Sequence, residues 1–265
     1  MDDFKYKKAF GQNFLNDNEI VVKIVRETNI EKDSLVLEVG PGSGRLTKEL
    51  AKVAKNVLAF EIDSRLEDIL DENLREFHNV NIIFDDFLNR DIQKDISDYE
   101  YQNLYLVANI PYYITTPILL KIINSHLPFS KVVVMVQKEV GDRFNAKVGT
   151  RAYGSITVFL NYYFNISKMF IVDRNSFTPK PNVDSVVLSL EAKKEKYFVQ
   201  NEELFFKLVR DSFHFKRKNL RNNLKEYDLL TIEKVLSKYG RSLNSRAEEL
   251  SIEIFVDLAN ALFSK

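Results

Sequence analysis

Asn109-Ile110-Pro111-Tyr112 closes the apolar run Leu104-Tyr105-Leu106-Val107-Ala108. A short apolar run ending in turn-forming residues reads as a buried strand that delivers its last side chains to a ligand crevice. Those side chains are an amide, a turn-rigidifying proline and an aromatic ring, a set suited to a flat, neutral, nitrogen-bearing substrate such as a nucleobase. None is a good nucleophile or a strong base, so the reactive group must come from elsewhere.

A second constellation supplies that group. In Glu38-Val39-Gly40-Pro41-Gly42-Ser43-Gly44, alternate glycines let a backbone approach a ligand closely. Glu61 lies 21 residues after Gly40, where an acidic side chain can accept both hydroxyls of a ribose. Asp86 follows the next strand and is placed to accept from the exocyclic amine of an adenine. A nicotinamide dinucleotide would satisfy the first two features. The G-x-G-x-G spacing, together with two antiparallel edge strands, favours S-adenosylmethionine. Its sulfonium is already activated, so the protein has mainly to align donor and acceptor. An adenine amine is planar and a poor nucleophile. Acceptors at its two hydrogens, from the Asn109 side chain and the main-chain carbonyl of Ile110 or Pro111, would favour a pyramidal nitrogen, with Tyr112 stacked on a base drawn out of its helix. Neither a protein nucleophile nor a metal is required.

These residues need a scaffold, and the chain alternates strand-like and helix-like runs to provide it. Leu35–Val39, Val57–Phe60, Asn79–Phe84, Leu104–Ala108 and Lys131–Gln137 read as strands, with helical stretches at Leu46–Ala54 and Ser64–Glu76. Such alternation predicts a parallel sheet covered on both faces. Ser155–Phe164 and Val183–Leu190 read as an antiparallel pair at one edge, giving a seven-stranded, mostly parallel α/β sheet of Rossmann-like type. From Glu202 the pattern is helical: Glu202–Phe215, Thr231–Tyr239 and Ile252–Phe263. The expected division is residues 1–194, with 1–30 contributing to the cofactor pocket, and a small all-α domain over 195–265.

Composition narrows the chemistry. The chain has no cysteine, which excludes thiolate catalysis, and its three histidines are too scattered to suggest a metal site. No apolar run is long enough to span a bilayer. Formal net charge is zero but unevenly spread: residues 61–100 carry thirteen acidic and four basic side chains, whereas 204–225 carry seven basic ones against Asp211 alone. The second stretch points to an anionic partner, a solvated helix face being the alternative.

In order and spacing the chain closely resembles the KsgA-type ribosomal RNA adenine dimethyltransferases. The matching stretches are Phe10–Leu15, Glu38–Thr47, Asn109–Pro117, Gln137–Glu139, Tyr153–Ser155, Phe177–Ser185 and Arg246–Ser251. The resemblance implies a class I methyltransferase that converts two adjacent adenosines, in a hairpin near the 3′ end of small-subunit 16S rRNA, to N6,N6-dimethyladenosine during ribosome biogenesis. It places Asn13 and Leu15 in the donor pocket with Gly40, Gly42, Glu61, Asp86 and Asn109. It makes Asn109, Pro111, Tyr112 and Phe177 the catalytic set, with Phe177 opposite Tyr112 on the target base. Packing of the loop between the edge strands is the other reading of Phe177.

Lys207, Arg210, Lys216, Arg217, Lys218 and Arg221 are then the phosphate-contacting residues, which supply affinity and register without reading sequence. Lys5, Lys7 and Lys8 would extend that footprint. The expected partner is small-subunit rRNA within a pre-ribosomal 30S particle, and the expected state a cytoplasmic monomer. Isoleucine at the second position of Asn-Ile-Pro-Tyr is also frequent in the Erm enzymes of large-subunit rRNA, whereas Tyr113–Pro117 and Arg246–Ser251 look more like the KsgA branch. A dinucleotide-dependent oxidoreductase and a mainly structural assembly factor are the remaining alternatives.

Overall fold

The computed structural model describes residues 13–110, 114–195 and 197–264. Pro111, Tyr112 and the lysines at 5, 7 and 8 lie outside the described residues. The chain forms two compact units, one running as far as Gly141 and resuming over Ser167–Ala192, the other built from Asp142–Ile166 and the chain from Lys193 onward.

The first unit opens with a two-residue strand, β1 (Phe14–Leu15), and helix α1 (Asn18–Thr28). There follow β2 (Ser34–Val39), α2 (Arg45–Ala51), β3 (Asn56–Glu61), α3 (Glu67–Leu74), β4 (Val80–Phe84), the single turn α4 (Ile92–Asp95), β5 (Asn103–Asn109), α5 (Thr115–Asn124), β6 (Phe129–Gln137) and α6 (Lys138–Phe144). After α7 (Ser155–Tyr163) come the strands β7 (Phe164–Val172), β8 (Phe177–Thr178) and β9 (Ser185–Ala192). Seven strands make one sheet in the order β4-β3-β2-β5-β6-β9-β7. β2 pairs in parallel with β3 and β5, and β6 meets β9 antiparallel.

Every residue of β2 is buried, including Glu38. That burial pattern belongs to a strand covered on both faces, where a continuous apolar run replaces alternation. The chain leaves β2 toward β3 and β4 on one side and later adds β5 on the other. The reversal leaves a crevice outside the carboxyl ends of β2 and β5, the place where open α/β sheets bind ligands. The seven-stranded, mostly parallel sheet with a helical C-terminal region agrees with the sequence expectation.

One element differs. Ser155–Phe164, expected to be an edge strand, is helix α7 up to Tyr163, and the edge strand is β7 immediately after it. Gly154 N–H donates to Thr157 Oγ1 at 3.2 Å, which starts the helix, and Asn161 Nδ2 donates to Thr157 O at 2.8 Å one turn later. Thr157, Val158, Phe159, Leu160 and Tyr162 are all buried. A short helix buried nearly all round carries the same unbroken apolar run as a central strand, so periodicity does not separate the two. Tertiary packing decides: Tyr162 lies 4.9 Å from Phe205 and Phe159 lies 5.0 Å from Phe206, ring centroid to centroid, within the second unit. That unit also contains α8 (Glu202–Ser212), α9 (Leu220–Asn223), α10 (Leu229–Lys238) and α11 (Ile252–Phe263).

Candidate active site

The crevice is built around the turn after β2. Gly40, Gly42 and Gly44 all have positive φ, at 74°, 59° and 79°. Gly42 is the most constrained, because a Cβ there would fall 2.7 Å from the Phe14 ring in addition to adopting a left-handed backbone. Gly40 N–H donates to Phe60 O at 2.9 Å, tying the turn to β3.

Glu61 ends β3 and is 4% exposed. Its Oε2 accepts from Gly42 N–H at 3.2 Å and its Oε1 from Asp63 N–H at 2.9 Å. Burial raises its pKa, while those two N–H groups oppose the rise. The carboxylate is thus held in one orientation with lone pairs still facing the crevice. Asp86 lies two residues beyond β4, and its Oδ1 accepts from Leu88 N–H at 2.9 Å as an N-cap. Lys121 on α5 steadies this segment by donating from Nζ to Leu88 O at 3.0 Å and Arg90 O at 2.6 Å.

Asn109 is the last residue of β5 and is half-buried. Its Nδ2 donates to Asn13 O at 3.2 Å, which leaves Oδ1 as the accepting end of the amide. Asn13 and Leu15 come into reach because β1 pairs antiparallel with β8, Leu15 opposite Phe177. Arg45 Nη1 adds bonds to Asn16 O at 3.1 Å and Asn18 Oδ1 at 3.0 Å.

One cavity is lined by Asn13, Leu15, Gly40, Gly42, Glu61, Asp86 and Asn109 together. These are the seven residues the sequence reading assigned to the donor. Phe177, expected at the target base and not at the donor, is 3% exposed, packs in the core with Leu15, Val21 and Val172, and does not line this cavity.

Glu38 also lines the cavity, and sequence reading missed it as a site residue. It is 1% exposed, and its Oε2 and the neighbouring Thr47 Oγ1 are buried without hydrogen-bond partners. Burial pushes its pKa to about 8, and the Glu61 carboxylate adds to the rise by a smaller amount. The available signal was an acid inside the otherwise apolar run Leu35-Val36-Leu37-Glu38-Val39. Buried polar atoms are nearly always satisfied, so an orphaned acid oxygen in a residue that lines a cavity marks a place for a hydrogen-bond partner.

The basic residues of the second unit are on the surface. Lys207 and Arg210 lie on α8, Lys216, Arg217 and Lys218 in the loop after it, and Arg221 on α9. Lys207 is engaged, with Nζ 2.8 Å from Asp211 Oδ2 and 3.0 Å from Tyr227 OH, bonds that hold its pKa above the ordinary lysine range. Arg210, Lys216, Arg217, Lys218 and Arg221 make no ion pair among the described residues.

The pattern of the family described as Ribosomal RNA adenine dimethylase matches residues 3–263. The chain belongs to that family. Ribosomal RNA small subunit methyltransferase A of Streptococcus pneumoniae is 46% identical over 270 aligned positions, covering 98% of this chain and 92% of its own length. The protein of the same name from Bacillus mycoides is 45% identical over the same shares. Among solved structures, a dimethyladenosine transferase from Plasmodium falciparum is 27% identical with a TM-score of 0.76, over 92% of this chain and 95% of its own. The 23S rRNA methyltransferase ErmE is 27% identical with a TM-score of 0.73, over 95% and 100%. The chain is therefore a ribosomal RNA adenine methyltransferase, and the oxidoreductase alternative falls. No helix among the described residues is long and apolar enough to cross a membrane.

Proposed function

We propose that the protein uses S-adenosylmethionine to dimethylate N6 of two adjacent adenosines in the 3′-terminal hairpin of small-subunit rRNA, acting as a cytoplasmic monomer on a pre-ribosomal 30S particle. The observation that carries the choice of subunit is the 46% identity, over 98% of this chain, to the small-subunit enzyme of Streptococcus pneumoniae, against 27% to the 23S rRNA methyltransferase ErmE. The Arg246–Ser251 and Tyr113–Pro117 segments favour the same branch.

The cavity suits that donor. Its wall combines Glu38, whose buried Oε2 has no partner, with the oriented Glu61 carboxylate, so it offers acidic groups to a cationic ligand that also carries ribose hydroxyls. The glycine turn gives the backbone approach such a ligand needs, and Asp86, Asn13 and Leu15 complete the wall. When bound, the donor supplies a methyl group already activated on a sulfonium.

The chain's own residues have to present the acceptor. Asn109, fixed by its bond to Asn13 O, points a carbonyl acceptor at one amine hydrogen of adenine, and the Ile110 carbonyl is adjacent for the other. Holding both hydrogens localises the nitrogen lone pair, and positioned acceptors in a dry site are the strongest kind of assistance available here. The proton is lost from a nitrogen made cationic by methylation, so no strong base is required. Pro111 and Tyr112 have the roles assigned from the sequence, the ring stacking on the extruded base. Phe177, buried beside Leu15, is assigned from the sequence as the second stacking face.

The deciding experiment incubates the purified chain with labelled S-adenosylmethionine and small subunits lacking the modification, then maps the modified nucleosides. Two neighbouring N6,N6-dimethyladenosines near the 3′ end are expected. Label in large-subunit rRNA would move the protein to the Erm branch, and particle binding without transfer would favour a structural assembly role.

A further inference from the structure

Three loops of the second unit are fastened to one another. The first joins α6 to α7, the second joins α8 to α9, and the third joins α10 to α11. The third acts as a strap to the first loop and to the start of α9, where the second loop ends: Glu248 O accepts from Gly149 N–H at 2.7 Å, Ser245 O from Leu220 N–H at 2.9 Å, and Leu243 O from Arg221 N–H at 2.9 Å. The Tyr153 and Phe213 rings, 6.0 Å apart, bring the end of the first loop against the start of the second.

Each flanking loop is also braced internally. Thr150 Oγ1 donates to Lys147 O at 2.7 Å, and Asn223 Nδ2 donates to Ser212 O at 2.7 Å while its Oδ1 accepts from Phe215 N–H at 3.2 Å. The charges follow the same layout. Lys147 and Arg151 in the first loop are exposed, as are Lys216, Arg217 and Lys218 in the second, and none is in an ion pair among the described residues. On the strap, by contrast, Arg241 pairs with Glu249 at 3.0 Å and Arg246 with Glu248 at 4.0 Å. The strap holds the loops together and leaves the uncompensated positive charge to them.

We propose that Lys147 and Arg151 form a second arm of the RNA-phosphate surface, held beside the Lys216–Lys218 arm by the Leu243–Glu248 strap. Two short cationic arms at a fixed separation suit a folded polyanion whose phosphates lie on two strands, and such contacts position RNA without reading its bases. Preorganised loops also spend little ordering entropy on binding. The inference rests on the reading of the chain as a small-subunit rRNA enzyme.

The test measures equilibrium binding of the full chain to unmethylated small subunits across a salt series. Lys147→Gln with Arg151→Gln is expected to lower the slope of log affinity against log salt by about two, and Lys216→Gln with Arg217→Gln and Lys218→Gln by about three. Donor binding and thermal stability should stay at wild-type values in both. A wild-type slope in the Lys147/Arg151 variant overturns the second arm, even though the wild-type chain binds and methylates the particle. If the wild-type chain neither binds nor methylates small subunits, the functional reading itself has failed, and the inference with it. Weakening of equal size at every salt concentration would also overturn it, since lost phosphate contacts must show in the slope.

Discussion

At the cavity, Glu38 and Glu61 are 1% and 4% exposed, and the backbone holds Glu61 through two N–H groups. At the basic loops, Lys216, Arg217 and Lys218 stand in water with no ion-pair partner among the described residues. Both regions handle charge, but the dielectric around them sets different rules. A buried acceptor works through one geometry, its interactions are strong, and replacing it is felt as a large discrete loss. Exposed cations are screened within about 10 Å at 0.1 M salt, so they act collectively and each contributes little. The cavity should therefore respond sharply to single substitutions and the loops gradually to several.

The sharpest break in that comparison is Asn109→Ala. Removing the oriented acceptor should lower the turnover of methyl transfer by roughly 10^2–10^3-fold, the scale seen when one preorganised polar group is taken from a reacting centre. Binding to small-subunit particles should persist. Single-turnover transfer with saturating donor checks this, and a rate within a factor of three of wild type would remove Asn109 from the reaction.

Glu38 tests the cavity side through pH. Burial pushes its carboxyl from 4.5 to about 8, so between those values the folded chain holds a proton that the unfolded chain has released. The stability tied to this group is fully present below pH 4.5 and is lost as pH rises to about 8. Glu38→Gln removes the titration, so above pH 8 the donor-free variant should be more stable than wild type, by on the order of a few kcal/mol. Above pH 8, where wild-type Glu38 is ionised, the same variant should bind S-adenosylmethionine more weakly, because an amide cannot neutralise a cation. Thermal melts from pH 5 to 9, with and without donor, read both effects; parallel melting curves for the two proteins would mean that Glu38 stays ionised.

How much of this was readable beforehand follows the same division. The strand ends and glycine turn were legible because a two-sided parallel sheet writes its strands as apolar runs, and the positive φ of Gly40, Gly42 and Gly44 leaves an unmistakable residue choice. Helix α7 was not legible, since Ile156-Thr157-Val158-Phe159 is β-branched and aromatic, and packing against Phe205 and Phe206 favours the helix. The placement of Phe177 in the core depends on the pairing of β1 with β8 across more than 160 residues of sequence. The basic stretch was visible as composition, but which of its charges are already spoken for was not.

Lys207 shows why, and gives the smallest expected effect. Within the one stretch of seven cations it alone is bonded to both Asp211, one helical turn away, and Tyr227, twenty residues on, and Tyr227 OH itself donates to Asp211 Oδ2 at 2.6 Å. The three groups share one positive and one negative charge, so a passing phosphate meets a site of no net charge. Lys207→Ala should change the salt slope of RNA binding by well under one, whereas a free phosphate-contacting lysine is worth about one. Asp211→Asn supplies the converse: it releases the Lys207 charge and should tighten RNA binding at low salt while steepening the slope. If Lys207→Ala instead costs a full unit of slope, the ion pair opens on contact with RNA, and Lys207 belongs with the loop cations after all.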